Sequence, residues 1–141
     1  MTEPSVKAVG IVVADLEVSL AFYARVGLEF IADPAVPGHA VCDLPGGMRL
    51  TLSTEDLVAS YLPRWTPPAG DPRVFLAIEF PTRLEVNAKY AELTEAGYRG
   101  LREPGNALWG MRYATVLDPD GNGVDLYSPI PIDEPSGAGP G

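Results

Sequence analysis

The sequence predicts an α+β domain made of two βαβββ units. Three observations lead there. Apolar stretches with strand character alternate with helical spacing in the same order in each half of the chain. Each helical stretch is bounded by a capping residue in front and a glycine behind, Asp15 and Gly27 in the first half, Thr82 and Gly97 in the second. Turn clusters, Pro45-Gly46-Gly47 and Asp118 to Asn122, then join pairs of strands at matching places in the two halves.

Val6 to Val13, "VKAVGIVV", is β-branched and apolar enough for a buried strand. The spacing then becomes helical. Asp15 can accept the free N–H groups of a first turn, Leu16, Leu20 and Tyr23 with Ser19 between them form a stripe, and Gly27 supplies the left-handed residue that ends a helix. A strand is expected near Leu28 to Ala32, and "HAVCDLPGGMRLTLS" reads as two strands joined at Pro45-Gly46-Gly47. In the second half "RVFLAIEF" is a strand, "TRLEVNAKYAELTEAGY" a helix, and "WGMRYATVLDPDGNGVDLYS" a hairpin. The "LEV" of Leu16 to Val18 recurs at Leu84 to Val86, which supports a duplication, although element order carries most of that reading. The modules are placed at about residues 6–54 and 73–129, and 55–72 is a linking loop. Its first part can form a short helix before Pro63, Pro67, Pro68 and Pro72 impose extended turns. The Pro- and Gly-rich stretch 130–141 is expected to be a disordered tail.

With 141 residues the chain is the size of one domain. A single cysteine, Cys42, excludes an internal disulfide, and with one histidine, His39, soft metal ligands are scarce. The formal charge of −9 and scattered basic residues exclude nucleic acid as a partner. No apolar run of membrane-spanning length and no basic-then-apolar leader is present, so the expected setting is soluble and cytoplasmic, with no membrane partner. Nucleotide-binding and serine-hydrolase motifs are missing as well.

"VGIVVADLEVSLAFYARVGLEF" near the start and "WGMRYATVLDPDGNGVDLYSP" near the end resemble the vicinal-oxygen-chelate superfamily, which includes glyoxalase I, the bleomycin-resistance proteins and extradiol dioxygenases. The resemblance covers about Val6 to Pro129. It implies paired βαβββ modules whose curled mixed sheets form a cup, commonly as a homodimer. In metal-dependent members it also implies four inward side chains around one divalent ion. Carried onto this chain, those four places are Ala8, Arg49, Phe75 and Asp125. A methyl, a guanidinium and a phenyl ring cannot ligate a cation, and neighbouring residues supply no ligand set if the register shifts by one. The expectation is no metal and no cofactor.

Asp125 then needs something to neutralise it, because a bare buried carboxylate is costly. Arg49 stands at the matching place in the other module, so the two can form an ion pair in the vacated centre or share it with a polar ligand; the alternative is that they reach solvent at the rim. Trp109, Met111 and Tyr113 alternate along one strand, with Arg112 and Ala114 on its other face, and either set can line the cup. Trp109 and Tyr113 suit stacking on a conjugated ligand as well as they suit a core. Trp65, in the proline-rich loop, fits a ligand-covering lid or a dimer contact. His39 reads as a strand-end residue, Cys42 as a small buried apolar group, and Glu79 either as a base facing the cup or as a solvent-facing strand residue.

The leading expectation is thus a protein that binds a small aromatic or cationic molecule without a metal, as bleomycin-resistance-like sequestering proteins do, with Arg49, Trp65, Phe75, Trp109, Tyr113 and Asp125 as ligand-binding candidates. A second is a glyoxalase-like lyase or isomerase in which Arg49 polarises a carbonyl and Asp125 or Glu79 moves a proton. A third is a non-catalytic interaction module whose cup is filled by its own side chains.

Overall fold

The computed structural model describes residues 3–107 and 110–131. The expectations for Trp109 and for the tail beyond residue 131 lie outside the described residues. The chain divides into two compact units, residues 1–69 and 70–141.

The first unit contains β1 (Ala8–Val13), α1 (Leu16–Arg25), β2 (Ile31–Ala32), β3 (His39–Asp43), β4 (Arg49–Thr54) and α2 (Glu55–Tyr61). Its sheet has the order β1-β4-β3-β2, with β1 parallel to β4 and the other pairs antiparallel. The Asp15 carboxylate accepts from Val18 N at 3.2 Å and starts α1. Gly27, with φ of 91°, lets the chain leave it. The buried stripe of α1 is Ser19, Phe22, Tyr23 and Val26. It therefore lies further toward the C-terminal end than the expected Leu16-Leu20-Tyr23 stripe, whose two leucines are only half-buried. The stripe packs on the alternate sheet residues Ile11, Val13, Ala40, Cys42, Leu50 and Leu52, all buried. The Phe22 and Tyr23 rings meet edge to face at 4.9 Å. Burial, with Asp43 and Glu29 nearby, pushes the Cys42 thiol above its ordinary pKa, so it behaves as an apolar core group.

The second unit contains β5 (Phe75–Glu79), α3 (Arg83–Glu95), β6 (Gly100–Ala107), β7 (Met111–Leu117) and β8 (Gly123–Pro129). Its sheet order, β5-β8-β7-β6, repeats that of the first unit, again with one parallel pair, β5 and β8. Thr82 caps α3 by accepting from Glu85 N at 3.2 Å. Val86 and Leu93 of α3 are fully buried, as are Ala114 and Val116 of β7 and Val124 and Leu126 of β8. The β7–β8 turn is held by Asp118, whose Oδ1 accepts from Asp120 N and Asn122 N, both at 2.8 Å.

Some strand limits differ from the sequence expectations. The first strand begins at Ala8 rather than Val6, and the strand expected at 28–32 shrinks to Ile31–Ala32. The described part of the last hairpin begins its strand at Met111. β6 had no strand pattern in the sequence: it runs through Pro104 and Gly105, and its pairing with β7 shifts register twice.

Candidate functional site

The site is built by hairpin register. The turn at Asp118 to Asn122 closes on the pair Leu117 and Gly123, so Thr115 stands opposite Asp125 and Tyr113 opposite Tyr127. Side chains alternate across a strand, and Arg112, whose Nε donates to Asn87 Oδ1 of α3 at 3.0 Å, marks the face that α3 covers. Met111, Tyr113 and Thr115 therefore share the opposite face, together with Asp125 and Tyr127 of β8. In-register parallel pairing adds Phe75, Ala77 and Glu79 of β5 to the same face. The phenyl ring of Phe75 lies over Gly123, where any β-carbon would collide with it, and Phe75 remains 42% exposed.

Asp125 is buried on this face, at 7% exposure, beside the buried Thr115. Its Oδ1 accepts a hydrogen bond from Thr115 Oγ1 at 2.8 Å. The Tyr113 hydroxyl bonds to the same carboxylate, and burial followed by that bond and the carboxylate charge raises the phenol above its ordinary pKa of 10.0. Thr115 and Arg102 act in the opposite direction on it without reversing the shift. Tyr113 thus stays protonated and serves as a donor at neutral pH. The Arg102 guanidinium lies 5.2 Å from the centroid of the Tyr113 ring, a cation–π contact that brings a positive charge to this face. Two residues along, the Tyr127 hydroxyl donates to Glu79 Oε1 at 3.2 Å.

In the first unit, Ala8, Arg49, Thr51, Ser53, Asp43 and His39 share the face turned away from the α1 stripe. Arg49 Nη2 forms an ion pair with Asp43 Oδ1 at 2.9 Å, both side chains half or more exposed. His39 Nδ1 lies 3.1 Å from Ser53 Oγ, a cross-strand hydrogen bond at the end of β3. Trp65 is half-buried in the loop after α2, with its backbone N–H on Leu62 O at 3.0 Å.

Of the expected ligand-binding residues, Phe75, Tyr113 and Asp125 are brought together on one face of the second sheet, along with Glu79. Arg49 and Trp65 belong to the first unit. Each partner of the expected Arg49–Asp125 pair has a neighbour of its own, Asp43 for the arginine and Thr115 with Tyr113 for the aspartate.

The model of the Glyoxalase/Bleomycin resistance protein/Dioxygenase superfamily matches residues 5–126. The chain belongs to that superfamily. Solved members confirm the fold of this superfamily chain. A glyoxalase/bleomycin resistance protein/dioxygenase from Nocardioides is 22% identical, with a TM-score of 0.72 over 96% of this chain and 89% of that one. A glyoxalase/bleomycin resistance protein/dioxygenase family enzyme from Burkholderia phytofirmans PsJN is 20% identical, with a TM-score of 0.75 over 88% and 98%. A glyoxalase-related enzyme from Fulvimarina pelagi is 21% identical, with a TM-score of 0.74 over 93% and 95%. No curated protein matches the sequence.

At the places that the resemblance gives to metal ligands, the first unit has the methyl of Ala8 and the ion-paired guanidinium of Arg49, and the second unit has the ring of Phe75 and the Asp125 carboxylate, which accepts from Thr115. Among the described residues no three His, Cys, Asp or Glu side chains gather as an ion would require. What the second sheet does present is an acceptor, Asp125, flanked by aromatic surface and by a second carboxylate, Glu79. Sequence reasoning missed Thr115, Tyr127 and Arg102. The first two follow from extending the hairpin register back from the Asp118–Asn122 turn, whereas Arg102 sits at a register shift of β6 that no sequence pattern announces.

Proposed function

We propose that this chain binds a small aromatic molecule carrying a cationic or N–H donor group, on the face of the second sheet turned away from α3, and that it does so without a metal ion. One observation carries the reading: the buried Asp125 carboxylate, at a place that the resemblance gives to a metal ligand, is bonded by hydroxyls, Thr115 Oγ1 at 2.8 Å and Tyr113. Those donors orient the carboxylate and leave its further acceptor capacity for a ligand donor, since an ionised carboxylate has about four lone-pair sites. The exposed ring of Phe75 and the edge of Tyr113 offer flat apolar contact beside it. Glu79, bonded by Tyr127, supplies a second acceptor for a longer cationic ligand. The proposed working form is a cytoplasmic homodimer that sequesters its ligand. The lyase or isomerase alternative asks Arg49 to polarise a carbonyl, and the engagement of that guanidinium by Asp43 favours sequestration.

A thermal-shift screen in EDTA tests the proposal, with planar aromatic cations, their neutral analogues and their carboxylated analogues. Specific binding raises the melting temperature by mass action. The cations are expected to raise it by about 5–11 °C at a hundredfold excess over Kd, and the carboxylated analogues to raise it less than half as much. A response that appears only when zinc, nickel or manganese is added would overturn the reading.

A further inference from the structure

On the opposite face of the same sheet, Arg112 is 2% exposed, the most buried charged side chain among the described residues. A buried guanidinium is ordinarily matched by a carboxylate, because removing a charge from water without a counter-charge is expensive. Here its hydrogen-bond partners are two neutral amides. Nε donates to Asn87 Oδ1 at 3.0 Å and Nη1 to Asn106 Oδ1 at 3.3 Å, with no acceptor for Nη2 among the described residues. No fully enclosed nitrogen among those residues lacks a partner, so Nη2 keeps its contact with solvent. Arg83 opens α3 one helical turn before Asn87 and is half-buried, so both lie on the helix face that meets β7.

We propose that Arg112, with Arg83 beside it, forms a binding site for a small oxyanion, a carboxylate or phosphate group, under the first turns of α3. The two asparagines hold the guanidinium plane at Nε and Nη1, which leaves Nη2 directed at an incoming oxygen as a fixed charge-assisted donor. The electrostatics point the same way. Burial, then Arg83, then Arg102 lower the Arg112 pKa, which means the charges acting on it are cationic and an anion entering there relieves repulsion as well as gaining hydrogen bonds. Arg112 lies on the other side of the sheet from the ligand face, with Arg102 the cation that both feel, and it gives a chain with a formal charge of −9 a local place for a negative group.

Thermal shift with inorganic phosphate and with acetate, at constant ionic strength against chloride, is the test. Either anion is expected to raise the melting temperature by at least about 2 °C over chloride. A larger response to phosphate assigns the site to phosphoryl groups, and a larger response to acetate assigns it to carboxylates. Arg112→Met keeps an unbranched apolar stem and removes the guanidinium with its charge, so the response should vanish; Arg83→Gln should reduce it at least twofold. In the unmodified chain, the Arg112 Nε–Hε resonance should shift saturably with the anion, which keeps the test decisive if Arg112→Met fails to fold. No response beyond chloride, or equal responses in the unmodified chain and Arg112→Met, would overturn the proposal.

Discussion

Asp125→Ala is expected to abolish the ligand-dependent rise in melting temperature, because it deletes the acceptor around which the proposed site is organised. Its stability effect is tied to Thr115. Thr115→Val is nearly isosteric but takes a donor from a carboxylate that is 7% exposed, so unfolding free energy should fall by about 1.5–3 kcal/mol, the range for hydrogen bonds to charged groups. Made on top of Asp125→Ala, the same Thr115→Val change should cost less than about 0.5 kcal/mol, since no buried carboxylate is then left short of a donor. Urea unfolding of the two single variants and the double variant measures this coupling. Additive costs would show that the 2.8 Å hydrogen bond does not hold the carboxylate in place.

Leu126→Ala makes the opposite separation. Leu126 follows Asp125 on β8 but is fully buried on the face covered by α3, among Val124, Ala114 and Val116. Removing its three outer carbons leaves a cavity that close-packed neighbours fill only partly, and about 2–5 kcal/mol of stability should be lost. At a temperature where the variant remains folded, its ligand response should survive with unchanged specificity. Successive residues of one strand thus divide the work: the even-numbered side chains from Val124 to Ser128 hold the unit together, and Asp125 and Tyr127 face the proposed ligand. Loss of ligand specificity in Leu126→Ala would contradict that division.

The pattern of successes and misses in the sequence reading follows from interaction range. Local signals were readable. Asp15 and Thr82 accept from the first turns of their helices, Gly27 and Gly97 adopt the positive φ that ends them, and the two expected turns join the expected strands. The alternation of Tyr113 against Arg112 was also legible, though which set met the helix was not, because that depends on where α3 docks. The Arg49–Asp43 pair was within reach of the sequence: a turn closed by the Leu44 N–H on Met48 O at 2.8 Å places the two residues opposite each other. β6 was not legible. Pro104 and Gly105 argue against a strand, and it is the long antiparallel partner β7 that draws this stretch into the sheet despite them. The same strand carries Arg102 to Tyr113 and Asn106 to Arg112, so both polar constellations of the second unit contained a member hidden from sequence reasoning.

The most direct test of a hydroxyl-held carboxylate in place of a metal centre is calorimetric titration of the EDTA-stripped chain with zinc, nickel, manganese and ferrous ions in turn. No ion is expected to bind at one per chain with micromolar or tighter affinity. Stoichiometric tight binding that disappears in Asp125→Ala would contradict it.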